Sequence, residues 1–323
     1  MKSNLEKKLS QFKTSFCNHR TEYILLLLVL ILAAFLRLFN LRDTIIFLGD
    51  EGRDALAVKR IVLDLDPTLL GPTASVGGFY LGPIYYYMIA PFMILFGMDP
   101  VGGAVMVALL GTATVGLMYY LVREWYGKFP ATIVSFLYAV SPGVIAFSRS
   151  SWNPNPLPFF TLALIACIYL SFKFKKVSWA FFSAICLGII IQLHYLGLIL
   201  GGVLAGITIL FIPQKRQLPG YISAEIAGFL IGASMYLAFE LRHGFLNVKA
   251  VIEFITRDGG ATGPRSSNFV WLFTEVNRFN LEAVLGAWSK PYTNTVAVLL
   301  ILSIRLFLGI KLKTKTKLSL PIK

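Results

Sequence analysis

Residues 79–97, FYLGPIYYYMIAPFMILFG, decide how the rest of the chain is threaded. The stretch is apolar enough to cross a membrane, and it could equally dip into one leaflet and return. The two choices distribute the basic residues differently. If it crosses, the clusters at Arg123–Lys128, Lys173–Lys176, Lys215–Arg216 and Lys311–Lys315 face away from the basic N-terminus. If it does not, all four share the N-terminal side, as the positive-inside rule requires of cytoplasmic loops. Gly77, Gly78, Gly82, Pro83 and Pro91 interrupt a regular helix, and Tyr80, Tyr85, Tyr86 and Tyr87 suit a membrane interface. The stretch reads as a non-crossing part of the first outer loop.

The remaining apolar runs then alternate in direction. Spans are expected at 23–39, 101–122, 130–147, 156–172, 178–192, 196–212, 221–239 and 295–308. The longer of these match a hydrocarbon slab of about 30 Å at 1.5 Å rise per residue. The chain is 56% hydrophobic and 14% charged over 323 residues, with mean hydropathy +0.71. The fold class is an all-α polytopic membrane protein, with about eight transmembrane helices and interfacial helices in its first outer loop. The expected divisions are a cytoplasmic basic N-terminus (1–20), a transmembrane domain (21–310) with outer loops at 40–100 and 240–292, and a basic cytoplasmic tail (311–323). A net charge of +14, from 30 Lys+Arg against 16 Asp+Glu, could suggest nucleic acid in a soluble protein. Here it follows the loops, so no nucleic-acid partner is expected. Cys17, Cys167 and Cys186 lack metal-site spacing, and neither a disulfide nor a zinc site is expected.

This topology gathers Asp50, Glu51, Arg53, Asp54, Arg149, His194, Glu240 and Arg242 at one surface, whereas transporters more often carry ionisable groups at the midplane. Gly49-Asp50-Glu51-Gly52-Arg53-Asp54 is the densest cluster. Apolar residues at 55, 58, 61, 62 and 65 predict a helix from about Asp54, with Asp50 or Glu51 at its start. Acidic residues are favoured there simply as caps. Asp50 and Asp54, four apart, would repel on one face unless a cation or a raised pKa relieves them. The second outer loop, Ser148-Arg149-Ser150-Ser151-Trp152-Asn153-Pro154-Asn155-Pro156, can be read as a turn before a helix, and the tyrosines as an interfacial belt. The Gly-rich 257–264 stretch has no preceding strand and no P-loop lysine, so nucleotide binding is not expected there.

Asp50-Glu51, placed directly after the first span, resembles the acidic motif of the GT-C glycosyltransferase superfamily. The wider chain, with Gly82-Pro83-Ile84-Tyr85-Tyr86-Tyr87, the 148–156 loop and Gln192-Leu193-His194-Tyr195, is similar to the protein O-mannosyltransferase and lipid A aminoarabinose transferase branch over residues 20–245. The resemblance implies an integral plasma- or inner-membrane enzyme with a cytoplasmic N-terminus and an active site on the outer face. It would move a sugar, with inversion, from a polyisoprenyl-phosphate donor to a hydroxyl on a glycan, lipid or protein acceptor. Asp50 would be base or metal ligand, supported by Glu51. Arg53, Lys59, Arg149 and Arg242 are positioned as donor-phosphate partners, with Asp54, His194, Tyr85 and Glu240 in support. Metal use varies within the superfamily, so a divalent ion on Asp50 is allowed and not required. The chain departs from the family in having fewer spans and no outer domain before Lys323, which suggests a minimal or truncated member. A transporter or flippase for a polyprenyl-linked sugar, dependent on midspan Glu225, and a non-catalytic family member are the alternatives.

Overall fold

A computed structural model describes residues 19–74, 78–212 and 215–256. Apart from 141–144, these fall in one compact unit formed by 1–140 and 145–260. The expected N-terminus before His19, most of the 240–292 loop, the span at 295–308 and the tail at 311–323 lie outside the described residues.

The described residues are helical, with no strand beyond an isolated bridge between Thr73 and Tyr80. In chain order the helices are α1 (Arg20–Leu38), α2 (Leu41–Thr44), α3 (Gly49–Leu63), α4 (Ile84–Leu95), α5 (Val101–Tyr126), α6 (Lys128–Val140) and α7 (Pro142–Ser148). They continue as α8 (Leu157–Phe174), α9 (Val177–Leu193), α10 (Gly197–Phe211), α11 (Leu218–Gly232), α12 (Ser234–Arg242) and α13 (Leu246–Thr256).

Polar contacts mark the two ends of the bundle. At one end, Glu22 near the start of α1 pairs with Arg123 near the end of α5 and accepts the Tyr119 hydroxyl at 2.8 Å. Glu124 pairs there with Lys173 at the end of α8. Ala180, Ile212 and Tyr221 join the start of α9 to the end of α10 and the start of α11. At the other end, Arg42 pairs with Asp99, and Leu41 packs on Val101 and Ala104. Residues 43–98 therefore leave and return at one end of the bundle. They make no net passage along the bundle, and α4 within them packs on α3 and α5.

Among the described residues, α1, α5 and α8 can each cross a membrane by length and composition, and up to five spans result if each of two bent helix pairs is one span. The helices α9 and α10 are apolar but shorter, at 17 and 15 residues. The expected run 221–239 is bent and not straight: α11 stops at Gly232, and α12 continues at 77° to it. The cause is local. Gln192 Nε2 donates to the Gly232 carbonyl at 2.7 Å, an acceptor that an unbroken helix would use itself. The expected run 130–147 is likewise divided, between α6 and α7.

Glycine permits the tightest crossing, between α9 and α11. A Cβ on Gly228 would lie 2.1 Å from the Phe181 carbonyl oxygen, and one on Gly232 would lie 2.5 Å from that of Ile185. Small residues four apart let two backbones meet where apolar burial gives little advantage over lipid.

Candidate active site

The main core beneath α3 is made of Val58 with Tyr85, Tyr86, Ile89 and Met93 of α4, Met106 and Val107 of α5, and Leu193 of α9. This apolar seat holds α3 with its N-terminus at the end of the bundle. Three carboxylates lie in the first turns of α3, and the surroundings give each a different state.

Glu51 is buried and held on both oxygens. Oε2 accepts the Leu48 backbone N–H at 3.1 Å, closing the start of the helix, and Oε1 accepts the Ser150 hydroxyl at 2.9 Å. Asp54 has no exposed surface. Its Oδ1 takes two bonds from Arg53, Nε at 2.9 Å and one terminal nitrogen at 2.8 Å, while Oδ2 is buried with no hydrogen-bond partner. Burial, opposed by Arg53 and helped by the Asp50 and Glu51 charges, pushes the Asp54 pKa up to about 6. Asp50 keeps 50% of its side-chain surface exposed and meets the other terminal nitrogen of Arg53 at 2.8 Å. The expected repulsion between Asp50 and Asp54 is thus relieved by the chain's own arginine, lodged between them. The Tyr86 phenol lies against the same guanidinium.

The loop from Ser148 to Pro156 ties this turn to its neighbours. Ser150 holds Glu51, and Ser151 shares a hydrogen bond with the buried Tyr85 hydroxyl at 2.9 Å. Asn153 donates to the Leu193 carbonyl at 2.9 Å, satisfying the end of α9. A Cβ on Gly103 would stand 2.3 Å from Ser151 Oγ, so a larger residue on α5 would displace the hydroxyl that Tyr85 shares. These serines and Asn153 were not among the candidate site residues. The signal was a run of small polar residues between two apolar runs, which a simple turn would show as well.

Two cavities flank the turn. One, of about 530 Å³, has Asp50 and Glu51 at its polar edge and walls from Ile46, Leu48, Phe147 and Trp152. The other, of about 520 Å³, lies between α3, residues 66–71 and the end of α12, and Arg60, Tyr86, Arg242 and His243 contribute to its lining.

The structure brings Asp50, Glu51, Arg53, Asp54 and Tyr85 together and distributes the other candidates elsewhere. Lys59 is exposed on α3. Arg149 is occupied at the end of α1, donating to the carbonyls of Leu36 at 3.0 Å, Arg37 at 3.1 Å and Asn40 at 3.4 Å, and to the Thr44 hydroxyl. A cation there meets the negative end of the helix dipole. His194 ends α9, stacks on Tyr195, and accepts the Leu196 N–H on Nδ1 at 3.3 Å; burial lowers its pKa. Glu240 is buried and accepts the N–H groups of Asn247 at 3.3 Å and Val248 at 3.1 Å, so it caps α13. Arg242 lines the second cavity. Among the described residues, no group of three His, Cys, Asp or Glu side chains could hold a metal ion. Both Glu51 oxygens and one Asp54 oxygen are taken by protein donors, which leaves Asp50 as the exposed carboxylate of the turn.

Residues 81–239 match a family model described as dolichyl-phosphate-mannose-protein mannosyltransferase. The chain is 26% identical over 170 residues to YkcB of Bacillus subtilis (strain 168), a mannosyltransferase by name, covering 51% of this chain and 23% of YkcB. Its fold is similar to that of the oligosaccharyltransferase AglB of Archaeoglobus fulgidus, solved with an inhibitory peptide and a dolichol-phosphate. There the TM-score is 0.54 at 16% identity, covering 92% of this chain and 38% of AglB. A second structure of the A. fulgidus oligosaccharyltransferase, with Zn and sulfate, gives a TM-score of 0.53 at 17% identity, covering 88% and 40%. The chain spans less than half the length of each of these proteins.

Proposed function

We propose that this chain, a member of the GT-C superfamily of membrane glycosyltransferases, transfers a sugar from a polyisoprenyl-phosphate donor to an acceptor hydroxyl, with Asp50 as the base. The observation that carries this reading is the contrast among three neighbouring carboxylates. Glu51 and Asp54 are buried and bound within the protein, whereas Asp50 stays half-exposed at the rim of an apolar-walled cavity. A base must reach a proton on a substrate, and only Asp50 of the three has that access.

In the proposed reaction the acceptor oxygen attacks the anomeric carbon as its proton passes to an Asp50 oxygen. The bond from that carbon to the phosphate oxygen breaks, and its electron pair leaves on the lipid phosphate, with inversion at the sugar. Arg53, fixed by Asp54, keeps the Asp50 carboxylate in one place. Ile46, Leu48, Phe147 and Trp152 offer an apolar wall for the isoprenyl chain. The dolichol-phosphate held by AglB lends this donor class support, as does the mannosyltransferase name of the matching family. The site end of the bundle is assigned to the outer membrane face, which leaves the clusters around Arg123 and Lys173 in the cytoplasm.

The test is turnover of a panel of polyprenyl-phosphate sugars by the purified protein in lipid, beside Asp50→Asn. Release of polyprenyl phosphate by the wild type, reduced at least about a hundredfold in the variant with donor binding retained, is expected of a general base. Equal turnover by the two proteins would remove Asp50 from the reaction. Donor binding without turnover in both would refute the transferase reading for this chain.

A further inference from the structure

The two cavities beside α3 differ in chemistry, although they are nearly equal in size: one is walled by apolar side chains and the other is mixed. The Asp50 cavity is walled by apolar side chains. The cleft on the other flank is lined by Arg60 and Asp66, by Tyr86, and by Phe239, Arg242 and His243 around the end of α12. We propose that this cleft binds an anionic, phosphate-bearing part of the acceptor, so that the acceptor's charge is recognised apart from the donor. The proposal rests on the reading of Asp50 as the base and adds the substrate class of the second cavity.

The charges in the cleft support an anion. Arg60 is paired with Asp66, which neutralises one cation while leaving both side chains largely exposed. Arg242, in the last turn of α12, is exposed and makes no ion pair among the described residues. The His243 ring is fixed: Nδ1 donates to the Phe239 carbonyl at 2.9 Å, and the ring stacks on Phe239 at 4.1 Å between centroids. The local excess is therefore positive, and an arginine offers paired N–H donors that match phosphate oxygens. Leu69, Leu70 and Phe239 add apolar surface to the cleft, but its charged groups suit an anion, whereas the more uniformly apolar Asp50 cavity suits an isoprenyl chain. The 77° bend after Gly232 is what carries Arg242 and His243 over this end of the bundle. Tyr86 connects the two sites, because it lines the cleft and lies against Arg53, the partner of Asp50.

The test has a binding arm and a transfer arm, both on the protein in phosphatidylcholine nanodiscs. In the first, inorganic phosphate and glycerol 3-phosphate are titrated against the wild type, Arg242→Gln and Arg60→Gln, and the unfolding midpoint is followed. Stabilisation of the wild type that is weakened about tenfold or more in Arg242→Gln is expected, the loss typical of one charged hydrogen bond. In the second, sugar transfer to glycerol 3-phosphate is compared with transfer to glycerol. A preference for the phosphorylated acceptor that collapses in Arg242→Gln, through acceptor KM and not donor KM, is the expected result. A rise in donor KM would instead assign the cleft to the donor's phosphate and overturn the proposal, as would phosphate binding that ignores both arginines. The binding arm keeps its meaning if no donor turns over, so failure of the cleft and failure of the transferase reading remain separable. Lys175→Gln, at an exposed position away from both cavities, controls for a general loss of positive charge.

Discussion

Arg53 stands between two carboxylates whose surroundings differ, and it is the residue through which they affect each other. Asp54 supplies one oxygen to two of its N–H groups while the other oxygen has no partner. Because the Asp54 pKa is raised from 3.8 to about 6, the folded protein favours the neutral form more than the unfolded chain does. The stability from this group is fully present below about pH 4 and is lost as pH rises through about 6. Unfolding midpoints followed from pH 4 to 7 should contain a falling component that is missing in Asp54→Asn. Activity should run the other way. Arg53 is held most firmly while Asp54 is ionised, so turnover should rise through about pH 6, and Asp54→Asn should lose roughly ten- to a hundredfold at neutral pH along with that acid limb. A variant with the wild-type pH profile would show that Asp54 is only packing. Arg149 shows how far residue-level reading could reach. Its charge and its place after an apolar run were legible, but the bonds it makes to the end of α1 depend on how α1 and the 148–156 loop meet. Arg149→Gln should lower stability by about 1.5–3 kcal/mol, seen as an earlier unfolding midpoint. Raised donor KM with an unchanged midpoint would return Arg149 to phosphate binding.

Among the elements, α9 and α11 depend most on a single residue type. Gly228→Leu or Gly232→Leu should push the two helices apart and cost about 1–3 kcal/mol or more, measured as loss of folded protein in detergent. The control is Gly202→Leu on α10, where nothing lies within 4 Å of an added Cβ. If Gly228→Leu folds as well as that control, the close crossing is not needed. The amphipathic helix at α3 and the return of residues 43–98 to one end of the bundle could be read from periodicity, tyrosines and charge placement. The break after Gly232 could not, because apolar residues continue through it and its cause is a side chain from another helix, Gln192. Glu240 was expected beside the site for the same reason: sequence showed a carboxylate after an apolar run, and only the fold shows it capping α13.

At the scale of the whole molecule, the bundle has a site end and an opposite end, and α1, α5 and α8 lie between them. Single cysteines at Asp43 and Lys175, both exposed, should react with a membrane-impermeant reagent from opposite faces in intact cells, Asp43 from outside. Labelling of both from one face would contradict the arrangement. The 148–156 loop has a consequence for how the protein is made. Glu51 is synthesised about a hundred residues before Ser150, and Asn153 about forty before Leu193. Tyr80 waits longer still, for Asn247, whose side chain accepts its backbone N–H at 2.9 Å. The acidic turn therefore leaves the ribosome early and reaches its final shape late, once most of the helices behind it have been made. A nascent chain halted before Ser150 would carry all three carboxylates of the turn and yet lack the hydroxyl that holds Glu51, so competence comes with assembly of the bundle and not with synthesis of the acidic motif.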